Sequence, residues 1–284
     1  MQSGPESEAF LRVDRTAIDG ETSCEGSDAV ACEEPLEIQL EAESLAVVMR
    51  TPGHDLELAL GFLVTERVIE RADQVVSLHA CTRTRKNRRS DDHGDGDGDD
   101  NVVRAVLAAD VVLDADALRR NLFASSSCGV CGKATIENAL RCAPPLDDPA
   151  RFERAFFTRL PDALREGQTG FDHTGGLHAA ALFSPDGERI VVREDVGRHN
   201  AVDKVVGFAL REGRPLAGHA LMVSGRISYE IVQKALAARI PVVAAVSAPT
   251  SLAVALAEAS GITLVAFLRG RRFGVYGLRD RVVG

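Results

Sequence analysis

Two cysteines three positions apart, in Ser127-Cys128-Gly129-Val130-Cys131-Gly132, are the residues of this 284-residue chain best suited to covalent chemistry. Two thiols at that spacing can share a metal, close a disulfide, or act as a reactive thiol with a resolving neighbour. The flanking glycines free the backbone angles and leave the sulfurs uncovered. The segment that follows, 133–141, has a helical pattern. Its first amides and the Lys133 ammonium would favour the thiolate, which is the nucleophilic form. A structural zinc site needs a second ligand pair. Cys24, Cys32, Cys81 and Cys142 supply none at a matching spacing and read as small or incidental residues. No metal is assigned.

Cationic and polar groups mark a second set of candidates. Arg269, Arg271 and Arg272 follow a predicted strand and flank Gly270, and their forked donors suit phosphate and carbonyl oxygens. His199, Asn200, Asp203 and Lys204 open a predicted helix. There His199–Asp203 and Asn200–Lys204 stand at i,i+4 spacing, so helix ion pairing competes with a pocket role. Ser224-Gly225-Arg226 ends a strand and precedes a helix, a favourable place for an anion. Tyr229 and Glu230 follow, with cleft, core and capping roles all open. Gly53-His54-Asp55 reads as a turn, with Asp55 as the N-cap of a helix beginning LELALGF.

These groups must be held by a scaffold, and its pattern is regular from Gly175 onward. Strands at 177–183 and 189–195 are joined by Ser184-Pro185-Asp186-Gly187, whose Pro-Asp-Gly marks a tight turn. Helical and strand patterns then alternate to 262–268, giving β-β-α-β-α-β-α-β. Such alternation implies a largely parallel sheet covered on both faces. It is also the element order of the cytidine-deaminase-like fold, an analogy that carries no activity. The zinc deaminases need His-x-Glu and Pro-Cys-x-x-Cys at two helix starts. Here those starts read GRHNAVD and SGRISYE, so that chemistry is missing. Upstream, residues 1–32 are expected to be a flexible N-terminus and 33–145 a smaller α+β domain. That domain carries a disordered insert at 83–100 and the Cys-x-x-Cys loop at 125–132. The α/β core is expected over 146–284. A short helix is expected near 116–123, and helix over 150–168 punctuated by Pro161.

Composition removes several function classes. The net charge of −9 and the absence of Trp argue against a nucleic-acid binder, which would show a basic stripe or aromatic platforms. Six of the acidic residues fall in the run DDHGDGDGDD at 91–100. The uncharged stretch 240–257 has marginal length for a membrane span, but Pro241, Pro249 and Thr250 divide it into strand, turn and helix. With no apolar signal segment near Met1, a cytoplasmic protein with reduced thiols and no membrane partner is expected.

Six stretches point together to one family. They are MRTPGHDLELALGFLVTE (49–66), SSCGVCGK (126–133), TGGLHAAALF (174–183), VREDVGRHNAVDKVVG (192–207), SGRISYEIVQKA (224–235) and SAPTSLAVALAEASGITLVAFLRG (247–270). From about residue 33 onward the chain resembles the FdhD/NarQ family of formate dehydrogenase accessory sulfurtransferases. The resemblance implies a deaminase-like core with an added domain, and a homodimer. It implies a protein that takes sulfur from a cysteine desulfurase as a cysteine persulfide. The sulfur passes to the molybdenum (or tungsten) bis(pterin guanine dinucleotide) cofactor, which is bound as substrate and delivered to formate dehydrogenase. The family's thiol pair falls on Cys128 and Cys131, with Cys128 matching the persulfide carrier. Its cofactor-binding segment falls on Phe267, Leu268, Arg269, Gly270, Arg271 and Arg272. His199, Ser224, Arg226 and Tyr229 are further candidates for that pocket. The alternatives are a cofactor chaperone that transfers no sulfur and a thiol-disulfide oxidoreductase using the same two cysteines.

Overall fold

A computed structural model describes residues 9–81, 101–111 and 132–284. The expectations for the insert 83–100, for a helix near 116–123 and for Cys128 and Cys131 fall outside those residues.

The long C-terminal half builds around a six-stranded sheet. Its strands are β8 (His178–Phe183), β9 (Arg189–Asp195), β10 (Ala220–Val223), β11 (Val242–Ala245), β12 (Thr263–Arg269) and β13 (Arg272–Gly277), in the spatial order β13-β12-β11-β10-β8-β9. β10, β11 and β12 are parallel, while β8, β9 and β13 pair antiparallel at the two sides. Every residue of β10 and β11 is buried, as continuous apolar runs in a doubly covered parallel sheet require. One face is covered by α5 (Arg198–Arg211), α6 (Tyr229–Ala237) and α7 (Ser251–Ser260), which meet the sheet through Val202, Val205, Ile231, Leu236 and Leu256. The other face is covered by α3 (Arg154–Arg165) through Phe156, Phe157, Leu160 and Leu164. The predicted alternation from β8 to β12 is therefore present. α7 begins at Thr250, whose hydroxyl caps the Ala253 amide, and ends at Gly261 in the left-handed region. The apolar stretch 240–257 is thus split between β11 and α7. Among the described residues no helix is long and apolar enough to cross a membrane.

Ahead of this core lies a second sheet of β3 (Glu34–Leu40), β4 (Glu43–Arg50), β5 (Val75–Cys81) and β6 (Val102–Leu107), in the order β4-β3-β6-β5. Leu36, Ile38, Val103 and Ala105 turn inward onto α1 (Asp55–Thr65). α1 is apolar nearly all round because its other side meets α5. The two helices approach backbone to backbone. A Cβ on Gly61 would stand 1.8 Å from the Asp203 carbonyl oxygen, and one on Gly207 would stand 1.8 Å from that of Glu57.

Several expectations are corrected. Residues 10–31, placed in a flexible N-terminus, form an antiparallel hairpin of β1 (Phe10–Asp19) and β2 (Thr22–Ala31). It turns at Gly20, and Phe10 stacks on His173 at 4.7 Å. Pro161, read as punctuation within the helical stretch 150–168, lies inside the unbroken α3, since the buried Phe156, Phe157, Leu160 and Leu164 outweigh one lost amide bond. A short helix α4 (Thr169–Thr174) precedes β8. α2 (Gly132–Cys142), expected in the N-terminal domain, contributes Ala139 to the central core beside α7. Residues 152–153 (β7) and 282–283 (β14) pair in parallel, bringing the C-terminal end of the chain back to the start of α3.

Candidate functional site

Two motif segments distant in sequence lock together where the N-terminal sheet meets the core. The Asp195 carboxylate, fully buried at the end of β9, accepts hydrogen bonds from the backbone amides of Thr51 and Gly197 and from the Asn200 side chain. The Lys204 ammonium lies 2.7 Å from it and also donates to the Thr51 carbonyl. Asn200 donates a second bond to the Met49 carbonyl at 2.7 Å. Thr51 Oγ1 donates to the Cys32 carbonyl and accepts from the Val196 amide. The loop 49–55 is therefore fastened to 192–204 by a closed polar network.

One turn further on, Lys234 of α6 reaches across α5 to α1. Its ammonium contacts Asp203, Glu66 and the Thr65 hydroxyl. Burial raises the Asp203 carboxyl to about 6 even though Lys234 acts in the opposite direction. Burial lowers the Lys234 ammonium, but Asp203 and Glu66 overcome it and leave it above its ordinary value. The i,i+4 pairs weighed against a pocket role within α5 do not form among the described residues. Asn200 and Lys204 serve Asp195, and Asp203 serves Lys234, because each of these helix positions faces a different packed neighbour.

Asp55 does not cap α1. His54 holds that position in the left-handed region, and the Asp55 carboxylate instead receives two bonds from Arg50. Burial would raise Glu57, but bonds from His54 and Arg193 prevail and bring it to about 2. Arg193 grips it through two nitrogens, at 2.6 and 3.0 Å.

The candidate binding residues gather at the carboxyl end of β10–β12, the end where open α/β sheets receive ligands. They divide into two groups. Ala266 and Arg269 bound a bulge in which Phe267 takes a positive φ of 58° and is 45% exposed. The Leu268 side chain is buried in the core, so only its backbone is available to a ligand. Arg269 pairs with Arg272 across a turn through Gly270 and Arg271. β13 was not foreseen, because Gly274 and Gly277 interrupt its pattern. Arg271 and Arg272 open onto an exposed groove of about 690 Å³ shared with Arg154, Thr158 and Glu153, on the α3 side of the sheet.

The second group lies where α5 and α6 begin. Ser224 Oγ accepts the Ala179 amide at 2.9 Å and so fixes β8 to the end of β10. Arg226 is exposed, and Tyr229 packs partly buried against the helix-side core. His199 Nε2 is buried, with Glu230 at 4.0 Å and no hydrogen bond. Burial, with Arg198 and Lys234 beside it, lowers His199 to about 4, so the ring is neutral at pH 7. His178 and Arg198 stand in the same place: a Cβ on Gly225 would be 3.4 Å from His178 Nδ1 and 3.8 Å from Arg198 Cδ. Neither was singled out from sequence. His178 begins a strand and Arg198 begins a helix, and nothing local shows that the two starts converge.

Comparison with known proteins accords with this architecture. The FdhD/NarQ family pattern matches residues 31–283. The chain is 50% identical to the sulfur carrier protein FdhD of Streptomyces avermitilis, over 90% of this chain and 89% of that one. It is 48% identical to the sulfur carrier protein FdhD of Mycobacterium tuberculosis, over 90% and 92%. A solved structure from Desulfotalea psychrophila, described as that of a candidate formate dehydrogenase accessory protein, has the same fold. Its TM-score is 0.73 at 23% identity, covering 97% of this chain and all of that one. The chain belongs to the FdhD/NarQ family.

Proposed function

We propose that this chain is a sulfurtransferase that loads sulfur onto Cys128 and passes it to the molybdenum bis(pterin guanine dinucleotide) cofactor, its substrate, for use by formate dehydrogenase. The observation that carries the reading is a family match over 31–283 together with near-half identity to relatives named sulfur carrier proteins. The Cys128 thiolate attacks the terminal sulfur of a cysteine desulfurase persulfide. The donor's S–S bond breaks, its thiolate leaves, and a new S–S bond forms on Cys128. Cys131 supplies a second thiol whose attack on Cys128 releases the sulfur as hydrosulfide and leaves a disulfide. The cofactor is an anion, and the arginines at 269, 271 and 272, with His199 and Arg226, give the carboxyl end of the sheet donors for its phosphates and carbonyls. A deaminase-like core stripped of the zinc ligands, a homodimer and a cytoplasmic setting complete the reading.

Intact-mass measurement tests it. After incubation with a cysteine desulfurase and cysteine, wild type gains the mass of sulfur and Cys128→Ala does not. An equal gain on the Cys128→Ala, Cys131→Ala double variant removes the site assignment.

A further inference from the structure

Three donor-bearing side chains converge at the start of α5, and none of them makes a hydrogen bond among the described residues. His178 comes from the first residue of β8, and Arg198 and His199 from the first turn of α5. Arg198 Nε and His199 Nε2 are both buried and make no hydrogen bond. Among the described residues, His178 and Arg198 have neither a hydrogen bond nor an ion pair. The opposing charges are Glu230, 4.0 Å from His199 and also acting on Arg198, and Asp195, which acts on His178, while Lys234 adds positive potential. Gly225 lies beside the cluster, where a Cβ would come into ordinary van der Waals contact with both His178 and Arg198. Buried donors left unpaired cost free energy, commonly about 1–3 kcal/mol for each group. The polar network around Asp195 is closed, whereas this cluster, on the ligand-receiving end of the sheet, holds two of the four buried polar atoms left without a hydrogen bond among the described residues.

We propose that Arg198, His178 and His199 form a seat for a phosphate group. The proposal rests on the reading of an anionic, nucleotide-bearing substrate, and it locates one of that substrate's phosphates away from residues 267–272. A guanidinium offers two parallel donors to a tetrahedral oxyanion. The two imidazoles add N–H donors from the side, and a neutral His199 can donate without repelling Arg198. Glu230 is the counter-charge that a bound phosphate must overcome.

Calorimetric titration with inorganic phosphate and, separately, guanosine diphosphate tests the seat. Wild type should bind, and Arg198→Met should weaken binding at least tenfold, about 1.4 kcal/mol. Glu230→Gln should strengthen it several-fold, a gain that a misfolded protein would not show. Tighter binding of guanosine diphosphate than of phosphate assigns the seat to a nucleotide; equal binding assigns it to free phosphate. No binding of either probe by wild type, or unchanged binding by Arg198→Met, overturns the proposal. Arg198→Met should still gain sulfur on Cys128 in the mass assay. Failure of wild type to gain sulfur would count against the proposed function and leave the phosphate result to be judged on its own.

Discussion

Lys234 Nζ lies 2.9 Å from Asp203 Oδ2, and through that one ammonium α6 holds both α5 and α1. The lysine and the aspartate are both almost wholly buried. Removing one partner of a buried pair leaves an uncompensated charge, whereas replacing both with apolar groups can be neutral. Lys234→Met should therefore cost about 3–5 kcal/mol in urea unfolding. Lys234→Met with Asp203→Leu should recover a large part of that loss. A loss for Lys234→Met below about 1 kcal/mol would show that the pair does not join the helices.

The crossing of α1 and α5 depends on two glycines. Gly61→Ala and Gly207→Ala should each destabilise by about 3 kcal/mol or more, because the new methyl group meets backbone that cannot turn aside. Gly26→Ala, on the exposed hairpin with nothing within 4 Å, should change stability by less than about 0.5 kcal/mol. Chemical denaturation of the three variants would decide this; similar midpoints throughout would refute the close crossing.

Acid should weaken the fold through His199. In the unfolded chain this imidazole takes up a proton near 6.5, but in the folded chain only near 4. Between those values the unfolded state binds more protons, so the contribution is complete above pH 6.5 and is lost as pH falls toward 4. His178, lowered chiefly by burial, acts in the same direction. Asp203, raised to about 6, acts in the opposite one. The informative quantity is thus the difference between wild type and His199→Gln. It should shrink by up to about 2 kcal/mol on acidification, allowing for solvent screening of a partly exposed ring. A difference that grows as pH falls would reverse the assignment.

Cys128→Ala should fail to restore formate dehydrogenase activity in cells lacking their own member of the family. Restoration to the wild-type level would favour a cofactor chaperone that transfers no sulfur. A partial effect of Cys131→Ala beside a complete effect of Cys128→Ala would match one carrier and one releasing thiol.

Local patterns determined a good deal of this protein. The strand and helix alternation from β8 to β12 was legible because continuous apolar runs and helical periodicity are local signals of burial. The Pro-Asp-Gly turn and the helix stop at Gly261 were legible for the same reason. The spacing of Cys128 and Cys131 marked them as a pair but left metal, disulfide and reactive-thiol readings open, and the family resemblance chose among them. The hairpin β1–β2 was not legible, since it is exposed on both faces and shows no apolar alternation. Charge partners were not legible either. Asn200, Asp203 and Lys204 looked like members of helix pairs at i,i+4, yet each was claimed by a partner elsewhere in the chain. Burial makes an unpaired charge costly, so the packing of α1 and β9 against α5 decided those partnerships. Tertiary structure alone also brought His178 to Arg198 and His199. Sequence spacing fixes which side chains share one element, but only the stacking of elements decides which ends meet.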